Sequence, residues 1–207
     1  MAKTPEEDRA ARLILASGSL VRARLLRDAG LDFDIVPPDL DESLVKDRAR
    51  NGGQDAAACA LALARAKAEA IATRYPGALV LGADQMLVVG ARWFDKPRDL
   101  AEARSHLREL RGRTHVLQTA ACVVRDGRVL WHHVSRPELA MRSFSDTFLD
   151  DYIAAEGESL LGSVGCYRFE ERGVQLFEAV KGEYFAILGM PLIALLAFLR
   201  DAGILKQ

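Results

Sequence analysis

Residues 78–83 read Ala-Leu-Val-Leu-Gly-Ala, an uninterrupted apolar run. A short run of this kind predicts a strand that is buried on both faces of a sheet. An alanine-rich stretch over residues 54–75 precedes it and predicts a helix that Pro76-Gly77 ends. Lys67 lies on the apolar face of this helix. A long helix followed by a buried strand is typical of an α/β protein.

The same alternation extends in both directions along the chain. Residues 12–16 predict a buried strand, which the turn Ser17-Gly18-Ser19 connects to a helix over residues 20–29. Strands, hairpins and helices are also predicted elsewhere, at residues 32–36 (strand), 86–94 (hairpin), 99–111 (helix), 114–124 and 128–141 (strands joined by an Asp126-Gly127 turn), 146–155 (helix), 166–180 (hairpin) and from Pro191 to before Gly203 (helix). This order predicts an α/β fold in which helices flank a mixed sheet.

Composition indicates one globular domain. The chain has 207 residues, of which 50% are hydrophobic and 28% are charged. We expect a single domain over residues 11–207 after a polar N-terminal extension, residues 1–10. Since 28 basic residues face 29 acidic ones, the charge balance does not indicate a nucleic-acid partner.

Cysteine spacing and hydropathy argue against a disulfide-rich, zinc-binding, secreted or membrane protein. The three cysteines are far apart and form no CxxC pair, which argues against a disulfide framework and a structural zinc site. The polar N-terminus has no signal-peptide core, and Gly189 and Pro191 interrupt the longest apolar stretch, residues 185–199. We therefore expect a cytoplasmic protein with no membrane partner.

The first candidate site is the turn Ser17-Gly18-Ser19. Unpaired N–H groups and the positive dipole end of a helix suit a phosphate. The helix start carries Arg22 and Arg24 with no acid before Asp28, and cations there are unfavourable unless an anion is present. The alternative is that both arginines are solvated surface charges.

The second candidate is Asp84, which we expect to follow the end of the buried strand, at the mouth of the sheet. There a carboxylate can hold Mg²⁺ or accept a proton from water, although a turn-capping role is the alternative. Glu42, Lys67 and Lys96 also lie beside apolar runs, and each can be explained alone as surface charge. Taken together, these acids and cations favour a metal–triphosphate site. The sequence shows no GxSxG elbow and no nucleophile–base pair, which favours direct attack by water.

Four blocks of sequence resemble the Maf family, also called septum-formation proteins, which are nucleoside triphosphate pyrophosphatases. The resemblance runs from Leu13 to about Gly203. The blocks are Leu15-Ala16-Ser17-Gly18-Ser19 with Arg22; Asp41-Glu42 with Lys67; Gly82-Ala83-Asp84 with Lys96-Pro97; and Val164-Gly165-Cys166-Tyr167 with Leu188-Gly189-Met190-Pro191-Leu192.

The resemblance implies an elongated mixed sheet with a central cleft, of the Maf and ITPase kind. It also implies cleavage between the α- and β-phosphates of a nucleoside triphosphate with a divalent metal, usually Mg²⁺. Asp84 would accept the proton of the attacking water and, with Glu42, hold the metal. The triphosphate contacts implied are Ser17, Ser19, Arg22, Lys67 and Lys96. A homodimer is left open.

Three positions bear on the base. Gln85 and Glu170 resemble the family branch that acts on 7-methyl-GTP, and Val21 stands where that branch has Trp. We expect all three to contact the substrate, while the preferred base and its methylation stay open. Family members usually have Ser-Pro-Arg-Arg where this chain has Ser19-Leu20-Val21-Arg22. That departure leaves an alternative, a degenerate member that binds a nucleotide or a cell-division partner without turnover.

Overall fold

The computed structural model describes residues 12–206, so the extension expected at residues 1–10 lies outside the described residues. Two long strands, β3 (Leu79–Val89) and β5 (Thr114–Arg125), pair antiparallel from Val80 opposite Val124 to Val88 opposite Val116. The other strands are β1 (Leu13–Ala16), β2 (Asp34–Ile35), β4 (Arg92–Phe94), β6 (Arg128–Ser135), β7 (Glu138–Met141) and β8 (Phe177–Lys181). Together they form the eight-stranded mixed sheet of the described residues.

Pairing on the outer edge of β3 is interrupted. β1 pairs in parallel with Leu79–Gly82, and β4 pairs antiparallel with Leu87–Val89. Between residues 12 and 206, no strand pairs with residues 83–86 on that side. The outer edge of β3 therefore lacks a partner strand near its middle.

Helices cover both faces of the sheet at the β1 end. The helices are α1 (Leu20–Asp28), α2 (Glu42–Asn51), α3 (Ala56–Ala72), α4 (Leu100–Leu110), α5 (Asp146–Glu156), α6 (Tyr184–Ile187) and α7 (Leu192–Asp201). Ile14 and Val80 pack in one apolar cluster with α3, while their neighbours Leu15 and Leu81 pack in another with α1 and α7. Adjacent strand residues point to opposite faces, so a continuous apolar run serves both clusters. This confirms the predicted α/β class.

Helix α3 lies unusually close to β3 because of Gly82. A Cβ placed on Gly82 would be 2.0 Å from the carbonyl oxygen of Ala64 and 2.9 Å from the nitrogen of Ala68. Small residues on both sides let the two backbones approach, and a glycine in a strand often marks such a contact.

Two predicted strands differ in the structure. The strand predicted at residues 32–36 is only Asp34–Ile35, an exposed edge pair that Pro37-Pro38 follows. The run at residues 128–141 forms β6 and β7 rather than one strand, because Pro137 has no N–H to donate to a ladder.

The hairpin predicted at residues 166–180 is wrong. The segment forms a loop and a 3₁₀ helix (Arg172–Leu176), and β8 then pairs with β7. Gly173 packs against the backbone of Arg168, where a Cβ would lie 2.5 Å from the carbonyl oxygen. The chain is thus folded on itself before β8, and strand pattern alone could not indicate that β7 is the partner.

No helix within residues 12–206 has the length and apolar character needed to cross a membrane. Cys59, Cys122 and Cys166 are all buried and free.

We predict that Gly82→Ala lowers the free energy of unfolding by about 3 kcal/mol, because the added methyl group meets backbone atoms that must move. Urea unfolding measures the change. Gly162→Ala is the control, since nothing lies within 4 Å of a Cβ at Gly162. Equal stability of the two variants would contradict the close packing of α3 on β3.

Candidate active site

A cleft of about 1130 Å³ is formed where the outer edge of β3 is unpaired. The structure brings every site residue named from the sequence to its lining. These residues are Ser17, Ser19, Val21, Arg22, Glu42, Lys67, Asp84, Gln85, Lys96 and Glu170. They come from six separate regions of the chain, so only folding brings them together.

A buried lysine joins two acids in the cleft. The Nζ atom of Lys67 is 2.6 Å from Oδ1 of Asp84 and 2.8 Å from Oε1 of Glu42. Lys67 and Asp84 are each only 7% exposed. Asp84 follows Gly82 by two residues and so shares its face, where α3 approaches most closely. Close packing at Gly82 thus sets the distance between Asp84 and Lys67.

The expectation that Asp84 follows the end of its own strand is wrong. β3 continues to Val89, and Asp84 is paired within it opposite Ala120. The neighbouring strand β1 ends instead, at Ala16 opposite Gly82. Asp84 therefore reaches the cleft because its partner strand stops, while its own backbone stays rigid in the sheet.

The charges around Glu42 and Lys96 shift the pKa values of both groups. Burial raises the pKa of the Glu42 carboxyl, but the hydrogen bond and charge of Lys67 and the charges of Lys46 and Lys96 lower that pKa more, to below its ordinary value. Burial and the charge of Arg22 lower the pKa of Lys96. A bound anion would oppose that decrease, so Lys96 favours an anionic ligand.

Arg22 is fixed at the floor of the cleft. Its Nε donates to the carbonyl of Gly189 at 2.8 Å, and its Nη1 donates to the carbonyl of Ala83 at 3.0 Å and to Oγ of Ser17 at 3.2 Å. Ala83 lies just beyond the end of β1, so the guanidinium binds a carbonyl where strand pairing has stopped. The solvated-surface alternative is wrong for Arg22. It holds for Arg24, which is 80% exposed in its side chain.

The two serines of the first turn shape the start of α1. Oγ of Ser19 accepts from the backbone N–H of Arg22 at 3.3 Å as an N-cap, and Oγ of Ser17 accepts from the N–H of Ser19 at 3.2 Å. Ser17 is buried and Ser19 is half-buried.

Gln85 points to the other face of β3 from Asp84. Its Nε2 donates to Oγ1 of Thr119 at 2.9 Å and lies 2.9 and 3.1 Å from the carbonyls of Ala186 and Ile187. Since the amide nitrogen is engaged by the protein, the carbonyl oxygen is the group available to a ligand. Glu170 is exposed on the loop after Cys166 and lines the same cleft.

A buried aromatic supports the wall of the cleft below that loop. The hydroxyl of Tyr167 is 2.8 Å from Nε2 of His115, and a Cβ on Gly165 would lie 2.2 Å from the Tyr167 ring. Cys166 has a positive φ of 56°, which turns the chain sharply between them. Burial lowers the pKa of His115 to about 4.

Sequence reasoning missed five charged residues of the lining: Lys46, Asp47, Arg50, Asp95 and Arg168. Helical spacing could have found two of them, because Glu42, Lys46 and Arg50 recur every fourth residue on α2. Asp95 directly precedes Lys96 and carries no independent signal.

Glu42 and Asp84 are the residues that could hold a metal. Among residues 12–206 there is no group of three or more His, Cys, Asp or Glu side chains suited to a metal. Mg²⁺ in phosphate sites is commonly held by one or two carboxylates together with substrate phosphates. Two carboxylates that share one ammonium keep one net negative charge, so this pair fits Mg²⁺.

The fold and the cleft define an α/β protein with a preformed site for a polyanionic ligand. The chain belongs to the Maf-like protein family, whose model matches residues 12–202. A nucleoside triphosphate pyrophosphatase of Granulibacter bethesdensis is 52% identical over 190 residues, covering 92% of this chain and 96% of the relative. A 7-methyl-GTP pyrophosphatase of Rhizobium etli is 46% identical over 192 residues, covering 93% and 96%.

A solved structure was also found, a nucleoside-triphosphatase (dITP/XTP pyrophosphatase) of Mycobacterium abscessus. It matches with a TM-score of 0.39 and 17% identity, covering 73% of this chain and 96% of that chain. This likeness is too distant to carry an argument.

We predict that His115 makes the protein less stable in acid. The unfolded imidazole takes a proton below about pH 6.5, whereas folded His115 stays neutral down to about pH 4. The unfolded state therefore binds more protons between these values, and stability falls as the pH falls through this window. Urea unfolding should show the parent losing about 2 kcal/mol more than His115→Gln between pH 7 and pH 5.

The exposed His132 provides the control for that experiment. His132→Gln should lose as much stability as the parent between the two pH values. An unchanged pH dependence in His115→Gln would contradict a buried neutral imidazole.

Proposed function

We propose that this chain hydrolyses a nucleoside triphosphate to the nucleoside monophosphate and pyrophosphate. The observation that carries the proposal is the Lys67 ammonium shared by Asp84 and Glu42 at the floor of the cleft. The names of the relatives at 52% and 46% identity support it.

The cationic side of the site suits the triphosphate. Arg22, Lys67 and Lys96 all line the cleft beside the start of α1, and the charges of Arg22 and Lys67 are close enough to lower the pKa of Lys96. Three cations held near one another without an equal number of acids are unfavourable in the free protein. Phosphate oxygens relieve that repulsion, so binding and charge stabilisation arise from the same groups.

Glu42 and Asp84 would hold Mg²⁺, whose role when bound is to neutralise charge on the phosphate oxygens. Lys67 keeps the two carboxylates in position before any ligand arrives. With their orientation fixed, little rearrangement is needed when the substrate binds.

Asp84 accepts the proton of the attacking water. Lys67 donates to Oδ1 of Asp84 and so orients the carboxylate. The water oxygen forms a bond to the α-phosphorus as the bond from that phosphorus to the α,β-bridging oxygen breaks. Pyrophosphate leaves with the bonding electrons, and no covalent enzyme intermediate is involved.

At the other end of the cleft, Gln85 and Glu170 select the base. The carbonyl oxygen of Gln85 and the carboxylate of Glu170 are both acceptors. Guanine presents donors at N1–H and its exocyclic amine, whereas a base that presents carbonyls there would be repelled. Val21 lies on the wall of the cleft as a small apolar surface rather than an aromatic one that could stack on a cationic methylated purine. We therefore propose a guanine-type base, methylated or not.

We predict that Asp84→Asn lowers kcat by about 10²–10⁴-fold, because an amide cannot accept the proton or neutralise the metal. Pyrophosphate release from GTP with Mg²⁺ measures it, and thermal unfolding checks that the variant is folded. Glu42 still pairs with Lys67 in this variant.

Asp34→Asn is the matched control, since Asp34 also pairs with a cation, Arg12 at 2.5 Å, but does not line the cleft. It should keep parental activity. A near-parental rate in Asp84→Asn would remove Asp84 from the mechanism. If the folded parent binds nucleotide but releases no pyrophosphate from GTP, 7-methyl-GTP, dTTP or UTP, the alternative of a degenerate nucleotide-binding protein is favoured over an enzyme.

We predict that kcat/KM is higher for GTP and 7-methyl-GTP than for dTTP and UTP, and that Glu170→Gln narrows the difference. An ionised carboxylate without donors is costly to desolvate, and an amide, which also donates, is less selective. Glu171→Gln is the neighbouring control outside the lining and should preserve the ranking. A parental preference for dTTP or UTP, or a difference in kcat/KM that stays as large in Glu170→Gln as in the parent, excludes this base-reading role.

A further inference from the structure

One face of α2 continues the site beyond Glu42. Glu42, Lys46 and Arg50 follow one another at helical spacing, and all three line the cleft. Lys46 lies about one turn after Glu42, roughly 6 Å further along the helix axis. The face therefore leads away from the Lys67 cluster and carries positive charge.

Lys46 is held in place by an acid from another element. Its Nζ is 2.5 Å from Oδ1 of Asp95, in the loop between β4 and α4, and its side chain is only 22% exposed. Burial lowers the pKa of Lys46, but the Asp95 hydrogen bond and the charges of Asp95, Asp84 and Glu42 raise that pKa more, to above its ordinary value. Lys46 is thus a fixed cation within range of the catalytic acids.

The ammonium of Lys46 keeps donors for a ligand. An ammonium donates three hydrogen bonds, and among residues 12–206 Asp95 is the acceptor that Lys46 reaches. Arg50 is more fully engaged. Its guanidinium is 3.7 Å from Asp95, 3.8 Å from Asp47 and 5.3 Å from the centre of the Trp93 ring. Lys46 is therefore the cation of this face that is best placed to bind an anion.

The position of Lys46 indicates which part of the substrate it meets. Asp84 and Gln85 are adjacent in β3 and point to opposite faces of the sheet. Gln85 faces α6, whereas Asp84 faces Lys67 and the start of α2. With the base held by Gln85 and the α-phosphate at Asp84, the leaving phosphates extend along α2 toward Lys46 and Lys96.

We propose that Lys46, positioned by Asp95, binds the leaving pyrophosphate and makes the cleft prefer a triphosphate to a diphosphate. This inference rests on the proposed function, which places the α-phosphate at Asp84. A diphosphate substrate would leave only orthophosphate, which ends closer to Asp84 and makes less use of Lys46.

Titration calorimetry on the full chain with Mg²⁺ tests the inference without turnover, using inorganic pyrophosphate and GMP as probes. Lys46→Met removes the charge and keeps the apolar stem. We expect it to weaken pyrophosphate binding about tenfold, as loss of a charged hydrogen bond does, and to change GMP binding less than about twofold. Lys46→Arg, which keeps the charge, should restore most of the pyrophosphate affinity.

Lys181→Met is the matched control, because Lys181 pairs with Glu138 at 4.0 Å and does not line the cleft. It should bind both probes like the parent. Should Lys46→Met fail to fold, Lys46→Gln removes the same charge and gives the same expected result. In turnover, the ratio of kcat/KM for GTP to that for GDP should fall in Lys46→Met.

Equal weakening of pyrophosphate and GMP, or no weakening of pyrophosphate, overturns the role of Lys46. A parent that binds no pyrophosphate overturns it as well. Failure of the proposed function would appear differently, as absence of pyrophosphate release from every triphosphate. In that case the binding measurements alone test the role of Lys46.

Discussion

The unpaired stretch on the outer edge of β3 is the constraint on which the site depends. β5 pairs with β3 along one side, whereas β1 and β4 cover only the two ends of the other side. A strand held along one edge keeps its backbone rigid, and the break on the other edge leaves room for a ligand. Arg22 binds the carbonyl of Ala83 where the partner strand has stopped, so a cation also satisfies the exposed backbone.

Close packing between α3 and β3 gives the site its distances. Gly82 brings the two backbones together, and Lys67 and Asp84 extend from the same contact. A lysine that is almost fully buried is costly without partners, and Asp84 and Glu42 supply them. Glu42 comes from α2, which contributes few buried residues of its own. The salt bridge to Lys67 therefore also ties α2 to the sheet.

The side chains that line the cleft differ between the two faces of β3. Glu42, Asp84 and Lys67 lie on the side of α2 and α3, and Gln85 lies on the side of α6. Alternation of side chains along a strand makes this separation automatic for consecutive residues such as Asp84 and Gln85. A nucleotide that crosses the strand would present its phosphates to one side and its base to the other. Under the proposed function, one local feature, the pleat of the strand, would place both the catalytic acid and the base-selecting amide.

Periodicity and residue type determined the α/β class, the main helices and the Asp126-Gly127 hairpin from the sequence alone, and the motif resemblance named some of the charged residues that line the cleft. These signals are local, since a helix or turn depends on neighbours within a few residues. Tertiary structure alone decided that Asp84 lies within a strand, that β8 pairs with β7 and that Lys46 meets Asp95. Each of these depends on contacts between residues far apart in the chain, for which neither hydrophobic pattern nor spacing carries information.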